Sequence, residues 1–423
     1  MTGSQIEKCR VCGNQNLIPV CDLGTMAFTG VFPKKDEQGV PEGPLELVKC
    51  HSDRNGACGL VQLRHSFDPR ILFGESYGYR SGLNGSMRQH LQALAWKIRS
   101  FASLEAEDII LDIGSNDGTL LSFFSGEDLI LFGVDPTASQ FRRYYPEDAR
   151  VIPALFSSSL IKKDLGAKKA KVITAIAVFY DFPAPVEFLK EAKEILSDDG
   201  ICVLEQSYLP SVLDNCAYDM VCHEHAAYYR LKQIKWLADQ AGLKIISCEL
   251  NQVNGGSLCV VLAQKCSAFS EDSDTVKRLI NQEEGMLLDA LSPYATFREN
   301  ILKHRQALCR AIDSLRAEGR RIFGYGASTK GNVLLQFCGL SPQEVPFVAD
   351  INEDKWGRVC PGTRIPIISE EEAISKKPDV FFVLPWHFKE SFLAKEERYL
   401  RQGGMFLFPL PRVDIIKKQG CKT

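Results

Sequence analysis

The stretch Ile109–Gly118, IILDIGSNDG, decides the fold. Ile109, Ile110, Leu111 and Ile113 surround the single polar Asp112, as expected of a strand buried on both faces of a parallel sheet. Gly114 lets the chain turn sharply after it, and Gly118 opens a predicted helix with Leu120, Leu121 and Phe124 on its inner face. Doubly wound α/β domains bind a cofactor at the carboxyl end of such a strand. About twenty residues further on, LILFGVD ends in Asp135, placed to accept the hydroxyls of an adenosine ribose. NAD and S-adenosylmethionine (SAM) both carry that ribose. The turn itself, Gly114, Ser115, Asn116, Asp117 and Gly118, lacks the full G-x-G-x-x-G that brings a helix N-terminus up to a pyrophosphate, which favours the phosphate-free SAM. A nicotinamide site, or an ordinary buried strand and turn, are the competing readings of this stretch.

A chain of 423 residues, 45% apolar, is too long for one core and implies two or three domains. Its net charge of -3 and pI of 6.2 argue against bulk attraction to nucleic acid or anionic lipid. The N-terminus MTGSQIEKCR lacks an apolar signal core and no apolar run is long enough to span a bilayer, so a cytoplasmic protein with no membrane partner is expected. Fifteen scattered cysteines suit a reducing compartment, where closely paired cysteines act as metal ligands. Cys9 and Cys12 form one such pair, and Cys50 and Cys58 supply a second set. Four thiolates close a structural zinc tetrahedron, with Cys21 and His51 as substitutes for the loosely spaced second set.

Following these, FDPRILFGESYGYRSGLNGSMRQHLQAL predicts a tyrosine-rich loop leading into an amphipathic helix near Ser86. Tyr77, Tyr79, Arg80 and Ser81 are candidates to close over substrate, or to pack as a linker. Strands KVITAIAV and ICVLEQ extend the sheet, with helix VEFLKEAKEIL between them. Beyond ICVLEQ comes Cys222-His223-Glu224-His225, near a strand's carboxyl end, where α/β enzymes place chemistry. A histidine there serves as a general base near neutral pH and a neighbouring carboxylate can orient it, while either histidine could instead be structural. H-E-H is not the zinc motif H-E-x-x-H.

GLKIISCELNQVNGGSLCVVLA reads as an antiparallel hairpin turning at Asn254–Ser257. After a polar helical connector, RRIFGYGASTKGNVLLQF opens a second α/β unit. Lys330, Gly331 and Asn332 at its helix start could hold a phosphate. Asp350, Arg358, Trp386 and His387 fall at or beyond later strand ends. In this second unit Tyr325 stands five residues before Lys330, so it lacks the Tyr-x-x-x-Lys of a short-chain reductase.

Together the paired cysteines, LDIGSNDG, HEHAAYY, NGGS, YGASTKGN and PGTRIPI resemble the three-part family of SAM-dependent sugar C-methyltransferases that act on nucleotide-linked keto-deoxysugars. The resemblance covers nearly the whole chain. It implies an α/β protein: a small zinc-binding N-terminal domain (1–75), a class I SAM methyltransferase Rossmann-like domain (76–268), a helical connector (269–320) and a second Rossmann-like, substrate-enclosing domain (321–423). Asp112, Gly114, Asn116, Gly118 and Asp135 match the family's cofactor motif, and Glu224 with His225 matches its proton-abstraction loop. Asn254, Arg80, Ser81, Lys330, Gly331, Asn332, Arg358, Trp386 and His387 are the expected substrate contacts; Tyr77, Tyr79 and His223 are secondary catalytic candidates.

Two positions depart from the antibiotic-sugar branch of that family. Cys222 stands where it has tyrosine, and Asp181 stands where it has histidine. The expected chemistry is removal of a proton next to a ketone and attack of the resulting carbanion on the SAM methyl, on a monomer or weak homodimer. Nicotinamide-dependent oxidation of a nucleotide sugar, or a zinc-stabilised nucleotide sensor without catalysis, are the rival functions.

Overall fold

The computed structural model describes residues 3–37, 39–51 and 56–417. At its centre, all five residues of the strand Ile109–Ile113 are buried. A seven-stranded sheet forms around it, in the order Leu243–Asn251, Ser257–Gln264, Leu196–Ser207, Ala170–Ile176, Ile109–Ile113, Ile130–Val134 and Arg150–Ile152. The last five of these run parallel. The first two form the expected hairpin, with Leu250 opposite Leu258 and a turn that holds Asn254, Gly255 and Gly256 at φ values of 56, 91 and 120°. Because the chain leaves Ile113 toward one neighbour and reaches the other later, a crevice opens at the strands' carboxyl ends.

The helix after Gly118 is shorter than the pattern suggests, covering only Thr119–Ser122. Phe123 N–H turns back to Leu120 and Leu121 and ends it, yet Leu120, Leu121 and Phe124 are buried as an inner face requires. The following predicted helices form at Gly85–Phe101 and Pro185–Ile195. Asn84 caps the first by accepting from Ser86 N and Met87 N.

The N-terminal strands Leu17–Ala27, Glu42–Cys50 and Val61–Leu63 make an antiparallel sheet whose fourth strand, Ala227–Tyr228, comes from the central domain directly after the His-Glu-His run. A two-residue strand leaves no periodicity in the sequence, so this pairing is not legible there. The polar connector forms helices Ser273–Gly285 and Ser292–Ala317. Its buried Glu283 accepts hydrogen bonds from Tyr208 Oη, Leu231 N and Lys232 N, so the connector is packed onto the central domain.

The C-terminal sheet runs Ile367–Ser369, Val348–Asp350, Ile322–Tyr325, Val380–Val383, Met405–Phe408 and Asp414–Lys417, parallel except for the last strand. It grips the N-terminal domain through side chains aimed at backbone. Gln336 exchanges two hydrogen bonds with Ala27, Asn332 Nδ2 donates to Thr29 O at 2.7 Å, and Arg358 Nη1 donates to Phe32 O at 2.8 Å. Asn332 and Arg358, expected at the substrate, are therefore engaged in holding two domains together. No helix of the described residues is long and apolar enough to cross a membrane.

Candidate active site

A cavity of about 310 Å³ lies at the carboxyl ends of the central strands. Asp112, Asp135, Asp181 and Glu205 line it, and among the described residues no lysine, arginine or histidine does. Burial pushes the Asp112 carboxyl up to about 7, against the hydrogen bond it accepts from Thr174 Oγ1 at 2.6 Å. Burial likewise raises Asp135. Such a cavity repels a pyrophosphate and suits a ligand carrying a sulfonium and an ammonium group. The donor set thus fits SAM and speaks against a dinucleotide.

Asp135 is held rigidly for this task. Its Oδ1 accepts from Thr137 N at 2.7 Å and its Oδ2 from Asn116 N at 2.9 Å. The turn that brings Asn116 there is tight: Asn116 has φ 50°, and a Cβ on Gly114 would sit 2.8 Å from Val178. Ser115 Oγ and Asn116 O both bond Tyr145 Oη, a brace absent from the sequence expectation. Gly118 packs against the same tyrosine ring rather than lining the cavity.

The turn also fastens the tyrosine loop over the cavity. Asn116 Oδ1 accepts from Ser81 N at 2.9 Å and its Nδ2 donates to Tyr79 O at 3.1 Å. Asp117, expected at the cofactor, instead accepts from Gly82 N at 3.0 Å and pairs with Arg80 Nε at 3.5 Å. Tyr77, Tyr79, Ser81 and Asn254 line the cavity; the Arg80 guanidinium lies over the Tyr144 ring at 3.5 Å.

The His-Glu-His run diverges in three directions. His225 sits behind the cavity wall, against two residues that line it: its ring centroid is 4.2 Å from that of Tyr180, and its Nδ1 is 2.8 Å from Met220 O. That carbonyl can only accept, so the ring proton is on Nδ1 and Nε2 keeps its lone pair. Burial, helped by the nearby Lys330 charge, pushes the ring down to about 3 and keeps it neutral. The ring's orienting partner is thus the Met220 carbonyl, where sequence reasoning expected Glu224. Glu224 turns toward the N-terminal domain, with Oε2 3.4 Å from Thr29 Oγ1 and Oε1 buried without a partner. His223 points away from the cavity, its Nε2 3.1 Å from Gly43 O and its ring between Phe28 and Phe67.

A second cavity, about 480 Å³, separates the tyrosine loop from the carboxyl ends of the C-terminal strands. Arg80, Lys355 and Lys395 line it, together with Tyr79, Ser328 and Asp350. Lys330 and Gly331 are not on its wall: Lys330 Nζ is 3.4 Å from Asn254 O, and Gly331 N is capped by Ser328 Oγ at 3.0 Å. Trp386 and His387 line a neighbouring groove, with Trp386 Nε1 donating to buried Asp219 at 2.8 Å.

The four cysteines converge outside the cavity lining. Cys9 and Cys58 sulfurs are 3.5 Å apart, as are those of Cys12 and Cys50, and all four lie within 4.8 Å of one another. Zinc–sulfur bonds of about 2.3 Å imply sulfur separations of about 3.8 Å, so the cluster fits a closed structural zinc without Cys21 or His51. Asn14 Nδ2 supports Cys50 Sγ at 3.3 Å. Zinc here would tie the two knuckles together and leave no position open for substrate.

Three family models match successive parts of the chain. A zinc binding domain model matches residues 9–73, a methyltransferase domain model residues 84–248, and a C-methyltransferase C-terminal domain model residues 252–411. The C-methyltransferase NovU of Streptomyces niveus is 30% identical over 418 residues, 98% of each chain. Among solved structures, the mitomycin 7-O-methyltransferase MmcR aligns over 42% of this chain and 54% of its own at 16% identity and TM-score 0.35. The plantazolicin methyltransferase BpumL, in complex with a desmethyl analogue and SAH, aligns over 43% of this chain and 86% of its own at 14% identity and TM-score 0.35. The chain is a SAM-dependent methyltransferase with a zinc-binding N-terminal domain, and it belongs to the C-methyltransferase family that includes NovU.

Proposed function

We propose that this enzyme methylates the carbon next to the ketone of a nucleotide-linked keto-deoxysugar, with His225 as the base. The observation that carries the reading is the seat of His225. Its Nδ1 is committed to Met220 O, which leaves the ring's lone pair on Nε2, and the two residues that hold it, Tyr180 and Met220, form part of the cofactor cavity wall. A neutral imidazole beside a methyl-donor site suits removal of a proton from carbon, where the base must be close and uncharged. SAM, when bound, supplies an electrophilic methyl group on positively charged sulfur.

The first cavity has no described cation on its wall, whereas the second brings Arg80, Lys355 and Lys395 to its wall beside Asp350 and Glu370. The cationic cofactor belongs in the acidic cavity, and the nucleotide diphosphate in the cleft lined by Arg80, Lys355 and Lys395. Tyr79 lines both, so the sugar would meet the methyl donor beneath the tyrosine loop, with Tyr77 on the cofactor side. Glu224, buried near the base, would offset the charge His225 gains. The test is product analysis: incubation with SAM and a nucleotide-linked 4-keto-6-deoxysugar should give a carbon-linked methyl group by NMR. An oxygen-linked methyl group would refute the reading.

A further inference from the structure

We infer that Asp181, as a neutral carboxylic acid, donates a hydrogen bond to the substrate's ketone oxygen and holds the enolate that forms when His225 removes the proton. The inference rests on the keto-sugar reading above and adds a catalytic residue to it.

Asp181 ends the helical turn Phe179–Asp181 that follows the strand Ala170–Ile176, at the carboxyl edge of the sheet beside Ile109–Ile113. It lines the cofactor cavity, and the residue before it, Tyr180, packs on His225. Its Oδ1 is cut off from solvent and takes no hydrogen bond within the protein. Buried polar atoms in native proteins are paired, so an orphan on a residue that lines a binding cavity points to a partner that arrives with the ligand. Tyr77 and Asn254 share this wall, but neither supplies a cation that would make Asp181 ionise.

Burial keeps Asp181 protonated, and the neighbouring Glu224 reinforces it. Glu224 Oε1 is also buried without a partner, and no described lysine, arginine or histidine lines the cavity that Asp181 lines. A negative charge on Glu224 disfavours a second one on Asp181. Burial, reinforced by Glu224, holds Asp181 well above the ordinary carboxylate range. Of the two, Asp181 is the one with access: Glu224 does not line the cavity, and Gly30 packs so closely that a Cβ there would come 2.1 Å from Glu224 Oε1. A carboxylic acid kept neutral by apolar surroundings is a known type of oxyanion donor.

The step balances without a further reagent. The carbon–hydrogen bond breaks and its proton passes to His225 Nε2. Its electron pair becomes the carbon–carbon double bond of the enolate, and the carbonyl π pair moves onto the oxygen, which accepts the Asp181 O–H hydrogen bond.

The test reads exchange rather than methyl transfer. Wild type, Asp181→Asn and Asp181→Ala are each incubated with a nucleotide-linked 4-keto-6-deoxysugar and SAH in heavy water, after matching their thermal midpoints and SAH affinities. Asparagine keeps a neutral donor and alanine removes it. Exchange of the proton next to the ketone should fall about a hundredfold or more in Asp181→Ala, the usual loss for one oxyanion donor. Asp181→Asn should stay within about tenfold of wild type, since it retains an N–H donor. If Asp181→Ala fails to fold, Asp181→Leu, of similar length and without a donor, replaces it. Exchange at the wild-type rate in the alanine or leucine variant overturns the inference while leaving the keto-sugar reading intact. Equal loss in the asparagine variant also overturns it, because the group then acts as a charged base. No exchange in wild type removes the keto-sugar reading, and the inference with it.

Discussion

Ala227 pairs with Gln62 across the edge of the N-terminal sheet, two residues after His225. The same Gln62 accepts from Arg10 N at 3.0 Å, and Arg10 lies between Cys9 and Cys12 in the zinc knuckle. Arg10 also clamps the backbone at Leu63 and His65. The metal cluster and the histidine loop are therefore joined by one run of hydrogen bonds, and a structural metal outside the cavity lining helps set the position of the proposed base.

Loss of zinc should consequently cost catalysis without abolishing cofactor binding. Cys12→Ser, which removes one of four thiolates, should lower bound zinc below one per chain and reduce the thermal midpoint. Methyl transfer should fall about a hundredfold, the scale of a small misplacement of a catalytic group, while SAM affinity changes little. Metal analysis with calorimetry decides it; full zinc occupancy and unchanged stability in the variant would contradict the assignment.

Asp135 should prove central to cofactor affinity. Asp135→Ala loses a carboxylate fixed by Asn116 N and Thr137 N, and with it the charge-assisted bonds to the ribose. SAM should bind at least about tenfold more weakly, roughly 1.4 kcal/mol. Titration calorimetry showing wild-type affinity would remove Asp135 from the ribose site.

Asp112 makes SAM binding sensitive to pH. Its carboxyl is raised from 3.8 to about 7 in the unliganded fold, so across that window the folded chain holds a proton that the unfolded chain has released. This group's contribution to stability accordingly falls as pH rises through the window. A cation entering the cavity favours the ionised form and expels the proton, so SAM affinity should weaken as pH drops below about 7. Calorimetry at about pH 6.5 in buffers of different ionisation enthalpy should register proton release on SAM binding, absent in Asp112→Asn. Identical heats in all buffers for wild type would contradict this account.

Much of this architecture is legible in the chain because the signals are local. A run such as Ile109–Ile113 must be a doubly buried strand, and Cys9 with Cys12 must sit close together. The connection of those parts is not local. Which way His223, Glu224 and His225 face is set by the pairing of Ala227 and Tyr228 with Val61 and Gln62, residues more than 150 positions away. Asp117 and Asn332 look like ligand groups because their types and places fit. Their partners, the loop backbone at Gly82 and the carbonyl of Thr29, come from distant segments that the sequence does not bring together. Asp181 stood in view at a strand's end, in AVFYDFP, but only its buried and unpaired Oδ1 marks it as a candidate.

The most direct measurement of the central claim is proton exchange by His225→Ala. Wild type, given a nucleotide-linked 4-keto-6-deoxysugar and SAH in heavy water, should exchange the proton on the carbon next to the ketone. The variant should bind SAM normally, since His225 does not line the cofactor cavity. Its exchange should be slower by about two to four orders of magnitude, the usual worth of a positioned general base. Exchange by His225→Ala at the wild-type rate would contradict the account and place the base elsewhere.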